Sequence, residues 1–304
     1  MKAGVKLAIS ALVLAVIYVG FDGEAAIALI GDIRLEYVWL AAALGFGDLV
    51  LAAWRWQRIA RVNGVALRFA TALRVTAESH FFNQGLPSTF GGDAYRIWIL
   101  TNRELAVGDA IGCVGTDRLI GALALALFVA LVQFKLVDYL TDEVARIAIW
   151  CVIAAVVIAI IVALVIGRQL ARRERGPLLS QLAQSVGHLQ TLCAKPLDFA
   201  AVMLVGVAGH GLLTLMFYVL AVGLDVPLGA IEAMSVFPTV FLLSMLPVTV
   251  AGWGVREALL ITALQLFDIP AAAALALGLS FGICMLLISI PGALLWLSER
   301  GRGA

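Results

Sequence analysis

In this chain of 304 residues, 63% are hydrophobic and only 13% charged, whereas a soluble domain of similar size carries about a quarter charged residues. That excludes a soluble globular protein and leaves one that crosses a membrane several times. The net charge of +1, with arginines gathered in short stretches beside apolar runs, excludes a nucleic-acid partner.

In chain order, the first apolar run, 6–21, follows Lys2 and Lys6 as a signal peptide would. No small-x-small cleavage site follows it, so it is expected to remain as a first helix. Five further runs, 37–53, 110–134, 147–167, 197–222 and 271–297, meet or approach the roughly 20 apolar residues of a full span. Loop charge orients them. Residues 54–74 hold Arg55, Arg58, Arg61, Arg68 and Arg74 without an acid, and 168–195 hold Arg168, Arg172, Arg173, Arg175 and Lys195 against Glu174. With Arg300 and Arg302 of the tail, these belong on the cytoplasmic face. Asp22, Glu24, Asp32 and Glu36 around Arg34, then Asp138, Asp142 and Glu143 near Lys135 and Arg146, and finally Asp225 and Asp268 mark the outer loops. Both termini are expected inside, in a cell membrane of the bacterial inner-membrane type.

Two segments do not fit as spans. Residues 75–100 enter and leave on the inner side; residues 231–267 enter and leave on the outer side. Each is broken near its middle by a related element. Leu86-Pro87-Ser88-Thr89-Phe90-Gly91-Gly92-Asp93-Ala94-Tyr95-Arg96 shares Leu, Pro, Thr, Gly and Arg at matching offsets with Leu246-Pro247-Val248-Thr249-Val250-Ala251-Gly252-Trp253-Gly254-Val255-Arg256. Proline removes a backbone donor and glycine permits reversal, so both read as re-entrant helical hairpins broken at the tip. Each half is then span, span, hairpin, span. The expected fold is an all-α polytopic membrane protein: one integral domain, 1–304, with a first repeat over 1–135 and a second, inverted repeat over 147–300. Residues 168–195 form the connector, expected as an amphipathic helix at the inner surface.

The ionisable residues inside these segments are the candidates for chemistry, because charge in a bilayer is costly and usually faces a path. Asp93 and Arg96 lie three apart, on one helix face. Arg96 suits a lipid phosphate, and Asp93 suits either a helix cap or a cationic headgroup. In Arg256-Glu257 the two neighbours are expected to point apart, Arg256 to substrate and Glu257 to a partner helix. Asp117-Arg118 reads either as part of a site or as an anchor at the membrane interface. Asp48 and His210 lie deep in spans; they are candidates for proton coupling, or for simple hydrogen bonds across helices. Glu78 and His80 enter the first hairpin, and Trp54 and Trp56 read as an interface belt. Cys113, Cys151, Cys193 and Cys284 show no metal or redox spacing, and no metal or other cofactor is expected.

The run Ala53-Trp54-Arg55-Trp56-Gln57, then Phe82-Asn83-Gln84-Gly85-Leu86-Pro87-Ser88 through Gly91-Gly92-Asp93-Ala94-Tyr95-Arg96, resembles the lysylphosphatidylglycerol synthase transmembrane-region family, also called the flippase-like domain family. Ala251-Gly252-Trp253-Gly254-Val255-Arg256-Glu257 is similar to its Gly-x-Gly-x-Arg-Glu region, and Asp117-Arg118-Leu119-Ile120-Gly121 to its acid-Arg-x-x-Gly segment. The resemblance implies a membrane domain that moves a polar-headed lipid between leaflets. It is expected here as a stand-alone member without the soluble synthase domain. The candidate substrate-binding residues are Asn83, Pro87, Thr89, Gly91, Gly92, Asp93 and Arg96 in the first hairpin, and Asp117 and Arg118 after it. The second hairpin supplies Pro247, Thr249, Gly252, Gly254, Arg256 and Glu257.

Three functions compete. The leading one is a lipid transporter using alternating access at two hairpins, with a membrane lipid as its partner. A membrane enzyme acting on lipid phosphates would need a nucleophile or ligand set that the sequence does not offer. An accessory subunit serving a separate lipid-modifying synthase would tolerate loss of the hairpin arginines. The charge pattern yields a topology test: reporters at Arg61, Arg173 and Arg302 are expected in the cytoplasm and those at Asp32, Asp142 and Asp225 outside. Reporters that place Arg61 and Arg103 on opposite faces overturn the first re-entrant hairpin.

Overall fold

A computed structural model describes residues 18–85, 91–102, 105–139, 177–244 and 253–300, together with scattered positions between 143 and 158. The expected spans 6–21 and 147–167 fall mostly outside the described residues. So do both hairpin tips, with Pro87, Thr89, Pro247, Thr249 and Gly252.

Every regular element among the described residues is an α-helix. In order they are α1 (Gly23–Gly31), α2 (Leu35–Val62), α3 (Phe69–Gly85), α4 (Gly91–Thr101), α5 (Val107–Tyr139), α6 (Pro177–Cys193), α7 (Pro196–Gly223), α8 (Ala230–Ser244), α9 (Val255–Gln265) and α10 (Ala271–Arg300). Four are long and apolar enough to cross a membrane: Leu35–Val62, Val107–Val132, Pro196–Gly223 and Ala271–Ser298. The chain is thus a multi-pass membrane protein. At 1.5 Å per residue α2 and α7 each extend about 42 Å, more than the roughly 30 Å hydrocarbon slab. The hairpin arms are different. By the same rise α3 and α8 reach about 26 and 22 Å, and α4 and α9 about 17 Å, so no arm crosses alone.

The first hairpin is a true antiparallel pair. Ser79 Oγ donates to the Gly92 carbonyl at 3.1 Å, the Gly92 amide donates to Asn83 Oδ1 at 2.8 Å, and the Tyr95 hydroxyl donates to Glu78 at 2.8 Å. As one arm advances the other retreats. Asn83 therefore caps the restarted helix, meeting an amide that has no partner within its own helix. The arms approach so closely that a methyl at Gly92 would lie 2.3 Å from the Ser79 carbonyl oxygen. In the second hairpin α8 packs against α9.

The centre of the bundle is the pair α2 and α7, which run antiparallel along their full length. The Arg34 amide donates to the Gly223 carbonyl, and its guanidinium meets Asp225 at 2.9 Å. At the other end Arg58 Nε donates to Asp198 at 2.6 Å. Around this pair the packing keeps its form when α2 is exchanged with α7, α3 with α8, α4 with α9 and α5 with α10. Thus α3 packs on α10 as α8 packs on α5, and α5 on α7 as α10 on α2. The main apolar core lies among α7 to α10, where the Phe217, Phe237 and Phe281 rings meet at centroid distances of 4.6 to 6.4 Å.

Three expectations change. Residues 54–74 are not one cytoplasmic loop: α2 continues to Val62, because nothing breaks it before Asn63 and Gly64, whose φ is +82°. Arg55 and Arg58 thus belong to a span, and Arg74 to a hairpin arm. Trp56 is fully buried rather than part of an interface belt. Over its described side chains the connector helix α6 turns its apolar residues to the protein. Val186, Leu189 and Leu192 are buried in the protein, while Thr116 donates to the Ser185 carbonyl and His188 lies 3.3 Å from Asp109. Its stripe at helical spacing is satisfied by α5, α7 and the end of α2.

A Gly92→Val substitution should force the arms apart and lower both thermal stability and membrane abundance. Unchanged melting of the purified variant would show that the arms are not held at this contact.

Candidate functional site

Charges gather where α2, α4 and α5 meet behind the first hairpin. Asp117, ten residues into α5, lies about 15 Å along the helix from its start. It accepts from Arg55 Nε at 2.8 Å and from Arg96 Nη1 at 2.9 Å. The Arg96 guanidinium also stacks 4.9 Å from the centre of the Trp56 ring, and its Nη2 lies 3.4 Å from Thr76 Oγ1. Its Nε is buried and finds no hydrogen-bond partner among the described residues. Next along α5, Arg118 Nε reaches both oxygens of Asp93, at 3.0 and 2.7 Å. Asp117 is 3% exposed and Arg96 8%, so their mutual attraction works in a low dielectric. Losing either partner would leave a buried charge uncompensated.

The structure thus brings together residues that the sequence singled out, in pairs that the sequence did not give. Asp93 and Arg96 share a face of α4 but do not bond each other; each reaches a different residue of the Asp117-Arg118 dipeptide. Within that dipeptide Asp117 is the centre of the cluster, while Arg118 is exposed. Arg55 escaped because it was counted among loop charges. Its helical continuation from Asp48, seven residues earlier on the same face, was the signal. His210 Nε2 donates to the Gly121 carbonyl at 3.1 Å, a hydrogen bond from α7 to α5.

The second hairpin builds a smaller centre. Arg256 and Glu257 do not point apart: Arg256 Nε donates to Glu257 Oε1 at 3.0 Å, and its Nη2 contacts both that carboxylate and the Gly278 carbonyl of α10. The other Glu257 oxygen accepts from the Gly254 amide at 2.6 Å, closing the start of α9. Rings of Trp253 and Phe281 flank the guanidinium at 5.3 and 5.2 Å. Arg256 is 5% exposed and Glu257 fully buried. The helix-start amides of Gly92 and Gly254 are occupied by Asn83 and Glu257. Asn83 and Glu257 accordingly hold the hairpins' own backbone.

The cluster around Asp117 makes a stability prediction. Asp117→Asn removes the carboxylate that holds two guanidinium groups, which should cost about 3–5 kcal/mol, the range for breaking one buried pair. Melting of the purified variant in detergent checks this; a loss below 1 kcal/mol would mean that water already reaches the cluster and screens it.

The family described as Lysylphosphatidylglycerol synthase TM region matches residues 4–292. A comparison with curated proteins finds no match. The match covers nearly the whole length, including both hairpins and the Asp117 cluster, so the chain belongs to the lysylphosphatidylglycerol synthase TM region family.

Proposed function

We propose that this protein is a lipid transporter of the flippase type, in which two inverted halves pass a phosphate-headed lipid between leaflets by alternating access at the hairpins. The carrying observation is the pair of buried arginines, Arg96 and Arg256, each on the restarted arm of a hairpin and each held by a carboxylate of the protein. The exchange symmetry of the packing and the antiparallel run of α2 against α7 support the inverted repeat, because equivalent helices then enter from opposite faces. On that reading the Asp117 cluster lies toward the inner face and the Arg256 centre toward the outer.

Arginine suits the task, since its planar fork stays charged and can grip a phosphate with two hydrogen bonds. Arg96 has donor capacity to spare: an unpartnered Nε and a long contact to Thr76. Asp117 would act as the resting counter-ion that a phosphate replaces, and Glu257 would do the same for Arg256. The charges are arginines and carboxylates paired with one another, which suits holding and passing an anion better than generating a nucleophile. We therefore read the chain as a transporter and not an enzyme, sited in a cell membrane with both termini in the cytoplasm. The membrane lipid is its partner, and a separate lipid-modifying synthase fits as the source of that lipid.

A charge-assisted hydrogen bond is worth about 1.5–3 kcal/mol. Arg96→Ala or Arg256→Ala should then slow translocation of a fluorescent phosphatidylglycerol in proteoliposomes by roughly one to two decades, at about 1.4 kcal/mol per decade. Lysine at either position should rescue in part, keeping the charge and losing the fork. Full transport by the double alanine variant at normal abundance would reduce both arginines to structural roles.

A further inference from the structure

A third carboxylate stands beside the Asp117 cluster and forms no ion pair among the described residues. Asp48 lies on α2 against the backbone of α7, so close that a methyl at Gly209 would come 2.5 Å from its Oδ1. The charges of Arg55, on the same helix, and of Asp117, on α5, both act on it. From α7 the neighbouring titratable group is His210. Because the partner of its Nε2 is a carbonyl, that nitrogen carries the hydrogen, which leaves Nδ1 as a lone pair, and Nδ1 is buried without a partner. Of the other helices packed on α2, α3 carries Arg74, Glu78 and His80. Arg74 lies 3.8 Å from Glu78, and His80 bonds the Met285 backbone. The connector α6 carries His188, beside Asp109, and the exposed Cys193 at its end, and α10 has no charged residue before Glu299.

The charge balance of the cluster therefore turns on Asp48. With Asp48 ionised, Arg55, Arg96 and Arg118 face three carboxylates, Asp48, Asp93 and Asp117, and the cluster is neutral. With Asp48 protonated, three guanidinium groups face two carboxylates. In a low-dielectric interior an excess charge is expensive, and a bound anion removes it. We propose that Asp48 is a proton-binding site whose protonation is linked to anion binding at the Arg96 cluster, so that proton and phosphate headgroup occupy the protein together. His210, at the next position to Gly209, is the nearest titratable group along α7, and its proton-free Nδ1 is a second buried acceptor near the cluster. Linkage is reciprocal: whatever factor the proton adds to anion affinity, the anion adds to proton affinity. The inference rests on the transport reading for the identity of its anion, but the proton site does not.

Two measurements on the full chain separate these claims. Infrared difference spectra between acid and alkaline samples should contain the carbonyl stretch of a protonated carboxylic acid, lost in Asp48→Asn. Short-chain phosphatidylglycerol should shift that titration toward higher pH, and inorganic phosphate should not. A band that survives Asp48→Asn overturns the proton site. No shift with either probe overturns the linkage, and an equal shift with inorganic phosphate reassigns the anion to a soluble one and overturns the lipid as its source. In proteoliposomes, an imposed pH gradient should redistribute fluorescent phosphatidylglycerol between leaflets by up to about tenfold per proton and pH unit, and Asp48→Asn should abolish that redistribution. Wild-type transport that ignores the gradient overturns coupling. No translocation at all, with the Asp48 band and its lipid-induced shift intact, overturns the transport reading and leaves the proton-and-anion site standing.

Discussion

A guanidinium inside a bilayer must find its counter-charge within the protein, because no water is there to supply one. That constraint organises the interior of this chain. Arg55, Arg96, Arg118 and Arg256 lie on membrane helices, and each meets a carboxylate. The pairs cannot be chosen freely: they tie α2 to α5, α4 to α5, and the start of α9 to itself. The Asp117 cluster is therefore as much a joint between helices as a site, and it adds to the apolar contacts that dock the first hairpin on its neighbours.

The two halves solve the same problem differently. In the first, the counter-ion of Arg96 comes from another helix, so separating α4 from α5 would expose charge on both. In the second, the counter-ion of Arg256 is its own neighbour in sequence, and α10 contributes a backbone carbonyl at Gly278 and the Phe281 ring but no charge. The second hairpin can move away from α10 without breaking an ion pair between helices. Pseudo-symmetric packing thus carries unequal electrostatics, which gives the two hairpins unequal resistance to motion.

Much of this was legible in the sequence, for identifiable reasons. The four apolar helices that the structure describes were found by run length, and the two breaks by proline and glycine. Asp93, Arg96, Asp117, Arg118, Arg256 and Glu257 were singled out because ionisable residues in apolar runs stand out. What periodicity cannot supply is which residue of a neighbouring helix sits opposite. The cross-pairing of Asp93 with Arg118 and of Arg96 with Asp117 depends on how α4 lies on α5, and no local pattern carries that. Arg55 and Trp56 were misplaced because a hydropathy window ends a span where charge begins, whereas the helix ends only where its backbone does, at Asn63. The helical stripe of α6 was visible, but a stripe does not say whether lipid or protein covers it.

The ion pairs at the two ends of α2 and α7, Arg34 with Asp225 and Arg58 with Asp198, have a mechanical consequence. Two antiparallel rods fastened at both ends cannot slide past each other by a helical turn without breaking both fastenings together. On the transport reading they would behave as a stator, fixed in length and register, against which the second hairpin, joined to no other helix by an ion pair among the described residues, is the freer to rock. Displacement during a transport cycle would then be zero along the central seam and would grow toward the periphery, where α4 and α9 end.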